Sequence, residues 1–188
     1  MIVFPTAGGI ERMRVIDSLG DLIDAGRIKV YSCDSIAGYA MVRGDRSPRY
    51  RAALLDGFHH FVRDEMIPAI WADCSTPGAD VIVTGASSGA FNALAVLCRF
   101  PDVVSHAIGM SGTYDVSQFI GPDAGDALFF STPLYFQGRW EDIGHSWKLA
   151  GVMGEKGIPN RVDPWGTDYD HDWPTWRRML PHYLNELS

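Results

Sequence analysis

The feature of this sequence best suited to chemistry is a serine with glycines two positions away on either side: residues 85–89 read Gly-Ala-Ser-Ser-Gly. A serine hydroxyl becomes a useful nucleophile when a neighbouring base accepts its proton. The G-x-S-x-G pattern presents such a serine when it ends a strand and opens a helix. Residues 79–84 (ADVIVT) read as that strand and residues 88–100 as that helix. The sharp turn exposes the hydroxyl, and the small flanking residues let strand and helix approach each other. It also aims the N–H of Ser88 at a developing oxyanion, beside a helix N-terminus that favours negative charge. Ser87 is therefore the candidate nucleophile, and Ser88 a candidate oxyanion donor.

Two other readings compete. A G-x-S-x-G string also occurs by chance. In addition, TGASSGAF looks like the Thr-Gly-x-x-x-Gly-x-Gly cofactor loop of short-chain dehydrogenases. That loop needs its last glycine for close packing around a dinucleotide, and Phe91 stands there. Those enzymes also carry a Tyr-x-x-x-Lys pair, and none of the seven tyrosines has a lysine four residues on. The motif would normally open the chain, whereas two predicted strands precede it. The nucleophile reading is the better one.

A triad on this type of scaffold runs in the order serine, acid, histidine. Of the six histidines, His59 and His60 precede the serine and His106 precedes the acid region, while His145 and His182 sit in helical segments. His171 lies in the loop TDYDHDWPTW, after the last predicted strand and before the last helix, and is the candidate base. The acid should hold the imidazole tautomer and follow the penultimate strand. Glu141 and Asp142 occupy that place, and the residues alone do not choose between them; Asp142 also suits a helix cap. Asp168, Asp170 and Asp172 lie too close to His171 in sequence to orient it well. The rest of the oxyanion hole should come from the glycine-bearing turn FPTAGG at residues 4–9, where backbone can approach a substrate closely.

The elements that must position these residues alternate along the chain. Strand-like runs fall at residues 2–4, 27–33, 79–84, 103–110 and 160–165. Helical apolar periodicity falls at 11–25, 50–70, 88–100, 144–156 and 173–187. Alternation of this kind predicts an α/β domain, a mostly parallel sheet with helices on both faces, with its chemistry at the carboxyl ends of the strands. The near-continuous apolar character of 79–84 fits a strand covered on both sides. Trp140, Trp147, Trp165, Trp173, Phe129, Phe130 and Tyr135 read first as core and second as the lining of an acyl pocket.

The 188 residues carry a net charge of −7, with 46% hydrophobic and 21% charged residues. That balance fits one globular domain over residues 1–188. It argues against a nucleic-acid partner, which needs clustered Lys and Arg, and against an anionic membrane surface. No apolar run reaches the roughly 20 residues needed to span a bilayer. The start, MIVFPTAGGI, lacks the layout of a signal peptide. The three cysteines, Cys33, Cys74 and Cys98, are widely spaced and show no metal-ligand pattern. Cys33 and Cys98 read as small buried hydrophobes. A reducing, cytoplasmic location is the expectation. Nothing in the sequence fixes the oligomeric state.

With these residues placed, the chain resembles the Putative esterase family of α/β hydrolases, the group that includes esterase D-like enzymes and mycolyltransferases. The matching pieces are VFPTAGG, RIKVYSCDS, GASSGAFNAL, GMSGTYD, GRWED, KGIPNRVDPWG and HDWPTWRRMLPHYL. They span nearly the whole chain, and the last is the most specific. The resemblance implies an α/β-hydrolase fold and Ser87 as nucleophile, with His171 as base. It further implies an acid at Glu141 or Asp142 and an oxyanion hole formed by the N–H groups of Ala7 and Ser88. The implied reaction is hydrolysis of a small-molecule carboxylic ester through an acyl-enzyme, without metal or cofactor. Transfer of the acyl group to an alcohol, or a non-catalytic binding role, are the alternatives. Position 88 is usually a larger apolar residue in this family. The connections at Gly9–Ile10 and Phe136–Gln137 are shorter than the family pattern, which has a further helix and strand before the acid; residues of a longer chain are expected to be missing there.

Overall fold

The computed structural model describes residues 1–6, 14–34, 47–112, 114, 134–138, 143–166 and 168–187, of which 134–138 are described in backbone only. Six parallel strands form one sheet in the order β2-β1-β3-β4-β5-β6. They are β1 (Ile2–Phe4), β2 (Tyr31–Ser32), β3 (Ile82–Ala86), β4 (His106–Met110), β5 (Leu134–Gly138) and β6 (Asn160–Pro164). The helices are α1 (Val15–Asp24), α2 (Pro48–Phe61), α3 (Ile67–Asp73), α4 (Ser88–Arg99), α5 (Ile143–Glu155) and α6 (Trp173–Glu186). A π-helical turn, Val62–Met66, joins α2 to α3, so the long apolar periodicity of 50–70 is one helical run with a bulge.

Strand side chains alternate between two cores, as a period of two requires. Ile2, Phe4, Val83 and Ala107 pack beneath α2, α3, α4 and α5. Val3, Ala86, Ile108 and Met110 pack beneath α1 and α6. Helices therefore cover both faces, as the alternation of elements predicts. Almost every residue of α4 is buried, because this helix lies across the centre of the sheet, against β3, β4 and β1.

Two elements differ from the sequence expectation. β2 is paired over two residues, Tyr31 and Ser32, rather than over 27–33, because β1 offers partners only at Ile2 and Val3. β5 occupies Leu134–Gly138, where periodicity alone assigned no strand. Leu-Tyr-Phe followed by Gln-Gly is too short an apolar run to declare itself; its strand state comes from parallel neighbours on both sides, β4 and β6. The pairing runs through Phe136 and Gln137, so β5 itself supplies a strand ahead of Glu141 and Asp142. Gly9–Ile10 lies outside the described residues. No helix among the described residues is long and apolar enough to cross a membrane.

The chain passes from β1 outward to β2, then returns to the other side of β1 with β3. The crevice at the carboxyl ends of β1 and β3 is thus the topological switch point, where open α/β sheets bind their ligands.

Candidate active site

Ser87 sits in that crevice. It links β3 to α4 with φ 53° and ψ −119°, a left-handed backbone that non-glycine residues avoid at a cost of about 1–3 kcal/mol. Three backbone hydrogen bonds hold it there. Its N–H donates to the Met110 carbonyl at 2.9 Å, while its carbonyl accepts from Ala90 N–H at 3.1 Å and Phe91 N–H at 3.4 Å. The turn is fastened to the end of β4 on one side and to the first turn of α4 on the other.

The flanking glycines are there for steric reasons. A Cβ on Gly85 would lie 2.4 Å from the Gly89 carbonyl carbon, and one on Gly89 would lie 2.6 Å from the Phe4 carbonyl oxygen. Both contacts are with backbone, so neither yields to a side-chain rotation. Glycine at 85 and 89 lets α4 descend onto β3 and onto the end of β1. Phe91, which stands where a dinucleotide loop would need its last glycine, is 1% exposed in the core.

Ser88 is the first residue of α4 and is buried. Its hydroxyl has no hydrogen-bond partner among the described residues. Its N–H lies at the helix N-terminus, one residue before Gly89, which packs against the Phe4 carbonyl at the end of β1. Ala7 itself, Glu141 and Asp142 lie outside the described residues. Glu141 and Asp142 fall between the end of β5 and the start of α5 in sequence.

His171 follows β6 and directly precedes α6, so it shares the carboxyl edge of the sheet with Ser87. Its exposed ring meets the Trp176 ring edge-to-face, with centroids 5.1 Å apart. Trp176 is buried, and its Nε1–H donates to Ser111 Oγ at 3.0 Å. Ser111 follows β4 and is one residue beyond Met110, whose carbonyl holds Ser87. Trp176 thus ties the histidine loop back across β5 to the strand beside Ser87. Asp172 caps α6, accepting from Trp173 N–H at 2.7 Å.

The base of the same loop is held by a second cluster. Trp165 Nε1–H donates to the Tyr183 hydroxyl at 2.8 Å, and that hydroxyl donates to Asp163 at 3.0 Å. Burial together with the bond to Asp163 pushes the Tyr183 phenol well above its ordinary range, with Trp165 opposing. Arg161 bridges Asp163 and Glu186. These contacts bind the end of β6 to α6 on both sides of the loop.

The remaining sequence candidates fall elsewhere. Trp173 is buried as expected, whereas Trp147 is exposed on α5. Trp140, Phe129 and Phe130 lie outside the described residues, as does the side chain of Tyr135. Cys98 is buried and Cys33 is half-buried; burial raises the Cys33 thiol to about 11. Among the described residues no group of three or more His, Cys, Asp or Glu is placed to hold a metal ion.

Two residues near the elbow were not singled out by sequence: His59 and Asn92. The signal for His59 was its place in an apolar stripe, with Leu55 and Val62 four residues before and three after it. A histidine inside such a stripe must either pack neutral or find a partner.

A family model described as Putative esterase matches residues 38–186. Among solved structures, MPT51 from Mycobacterium tuberculosis superposes with a TM-score of 0.66 at 14% identity, over 98% of this chain and 87% of that one. Esterase PE8 gives a TM-score of 0.66 at 19% identity, over 96% of this chain and 90% of the other. The fluorophosphonate-binding serine hydrolase FphF from Staphylococcus aureus gives 0.61 at 11% identity, over 98% and 81% respectively. At such identities these likenesses show a shared fold. A search of curated proteins finds no match to this chain.

Proposed function

The chain belongs to the Putative esterase family and is a carboxylic ester hydrolase; on that premise we propose that Ser87 is its nucleophile and His171 its general base. The observation that carries this reading is the backbone of Ser87. A φ of 53° at a serine between two sterically obligatory glycines is costly, and such strain concentrates where function requires it.

In this reading His171 takes the proton of Ser87 Oγ as the oxygen attacks the ester carbonyl carbon. The tetrahedral oxyanion is stabilised by the N–H groups of Ser88 and Ala7. Collapse expels the alcohol, which receives the proton from His171, and leaves an acyl-enzyme. Water, deprotonated by His171, then attacks the acyl carbon; collapse releases the acid as His171 returns the proton to Ser87 Oγ. Glu141 or Asp142 orients the imidazole and stabilises its cationic form. The substrate is a small-molecule ester. FphF is described as fluorophosphonate-binding, and the same probe suits this serine.

The test is Ser87→Ala in purified protein, assayed on p-nitrophenyl esters of increasing chain length. We expect kcat to fall by about 10⁴-fold or more, with fluorophosphonate labelling of the unmutated protein mapping to Ser87. Undiminished hydrolysis by the variant would reject the assignment. Glu141→Gln and Asp142→Asn, measured side by side, identify the acid as the one with the larger fall in kcat.

A further inference from the structure

Behind the elbow, a chain of four polar side chains ends on the backbone of Ser88. His59, on α2, is fully buried, and Asn92, on α4, is 1% exposed. Asn92 Nδ2 donates to the Ser88 carbonyl at 3.1 Å. Asn92 Oδ1 lies 3.1 Å from His59 Nε2. On the far side of the imidazole, Arg99 Nη1 lies 3.2 Å from Nδ1. The other terminal nitrogen of Arg99 pairs with Asp56, whose carboxylate reaches the surface.

Arg99 dictates the direction of every proton in this chain. A guanidinium can only donate, so His59 Nδ1 must accept. The neutral imidazole then carries its proton on Nε2 and gives it to Asn92 Oδ1. That leaves the amide nitrogen of Asn92 to face the Ser88 carbonyl. Burial, with some help from the Arg99 charge, lowers the His59 pKa to about 4, so the neutral form that this order requires is the one present at neutral pH.

We infer that Asp56, Arg99, His59 and Asn92 form a positioning relay that fixes the first turn of α4, and with it the Ser88 N–H that faces the oxyanion. The inference rests on the reading of Ser87 as nucleophile. Apolar side chains would join α2 to α4 at no greater cost, since burying polar groups carries a desolvation penalty. What apolar packing lacks is direction. The strained Ser87 backbone relaxes by rotation at residues 87 and 88, and a hydrogen bond aimed at the Ser88 carbonyl opposes that rotation. Electrostatic stabilisation of an oxyanion depends on the donor being held in place before the charge develops. None of the four side chains touches the reacting atoms through these bonds; His59 and Asn92 act through Ser88.

The experiment compares unmutated protein with Asn92→Leu, His59→Leu, His59→Gln and Asp56→Asn. It measures kcat, KM, the rate of fluorophosphonate labelling and Tm. Asn92→Leu and His59→Leu should lower kcat and the labelling rate by about tenfold, with KM within about twofold. A glutamine at 59 places its amide nitrogen near the imidazole Nε2 position and still donates to Asn92, so His59→Gln should recover most of that loss. Folded Asn92→Leu and His59→Leu proteins with rates close to those of the unmutated protein would overturn the relay. So would equal losses in His59→Leu and His59→Gln at equal Tm, the signature of a helix tie without direction. If the buried variants do not fold, Asp56→Asn decides: kcat about two- to threefold lower at unchanged KM supports the relay, and unchanged kcat overturns it. Unmutated protein that hydrolyses esters but takes no label at Ser87 would instead reject the nucleophile assignment, and this inference with it.

Discussion

The two halves of the site are built by different means. The side of the proposed nucleophile is backbone pressed on backbone: β3, α4 and the end of β1 meet through Gly85 and Gly89, with no side chain between them. The side of the proposed base is a loop held by side chains, through the Trp176 ring and Nε1–H at one end and the Trp165–Tyr183–Asp163 cluster at the other. Ser87 is half-buried and its surroundings are buried, while His171 is exposed. Ser87, the proposed nucleophile, holds a strained φ and needs surroundings that cannot relax. His171, the proposed base, would take a proton from the serine and return it to the leaving alcohol, a task that needs support but not enclosure. The nucleophile side should therefore fail abruptly when altered, and the base side by degrees.

The sharpest way to break this contrast is Gly89→Ala. A methyl group 2.6 Å from the Phe4 carbonyl oxygen and 2.9 Å from that of Pro5 forces α4 off the sheet, at a cost of about 3 kcal/mol or more. Urea denaturation should show this loss or an unfolded protein, with esterase activity lost in either case.

Acid should also weaken the nucleophile side first. His59 has its pKa lowered to about 4 in the folded protein, chiefly by burial, against about 6.5 unfolded. Between these values the unfolded chain binds the proton and the folded one does not. The contribution is therefore fully present above about pH 6.5 and is lost as the pH falls toward 4. On going from pH 7 to 4.5, unmutated protein should lose about 2–3 kcal/mol more than His59→Gln, measured as urea midpoints at each pH.

On the base side, Trp176→Phe keeps a ring for His171 to lean on but removes the donor to Ser111 Oγ, leaving a buried hydroxyl unpaired. Stability should fall by about 1–2 kcal/mol and kcat by less than Ser87→Ala costs, in a thermal melt and a p-nitrophenyl ester assay run together. A fall in kcat as large as that of Ser87→Ala would show the two halves to be equally unforgiving. Asp172→Ala should have the smallest effect. It removes the N-cap of α6 beside His171, at about 1 kcal/mol, and a calorimetric melt with measurable residual kcat is the expected result.

Much of this organisation was legible in the residues. The alternation of apolar runs predicted a sheet with helices on both faces, because burial on two sides leaves a continuous apolar strand and burial on one side leaves a helical stripe. Strands β1, β3, β4 and β6 fall within or near their expected segments. β5 was not legible: five residues, LYFQG, carry too little pattern, and hydrogen bonds to β4 and β6 make them a strand. The extent of β2 was overestimated for the converse reason, since pairing ends where β1 offers no partner.

The site divides along the same line. Sequence alone singled out Ser87 as the candidate nucleophile and its glycines as the elbow, because the constraint that shapes the elbow acts within five consecutive residues and is steric. It also determined that His171 lies between the last strand and the last helix. Only the tertiary structure decided what lies behind the elbow. His59 and Asn92 are 33 residues apart, and Trp176 and Ser111 are 65 apart. These bonds depend on two helices crossing one sheet and on α6 packing beneath β4. Hydrogen bonds are directional and short-ranged, so no local pattern announces them. Sequence singled out the serine as the candidate, and the fold assembled the buried polar chain that ends on the carbonyl of its neighbour.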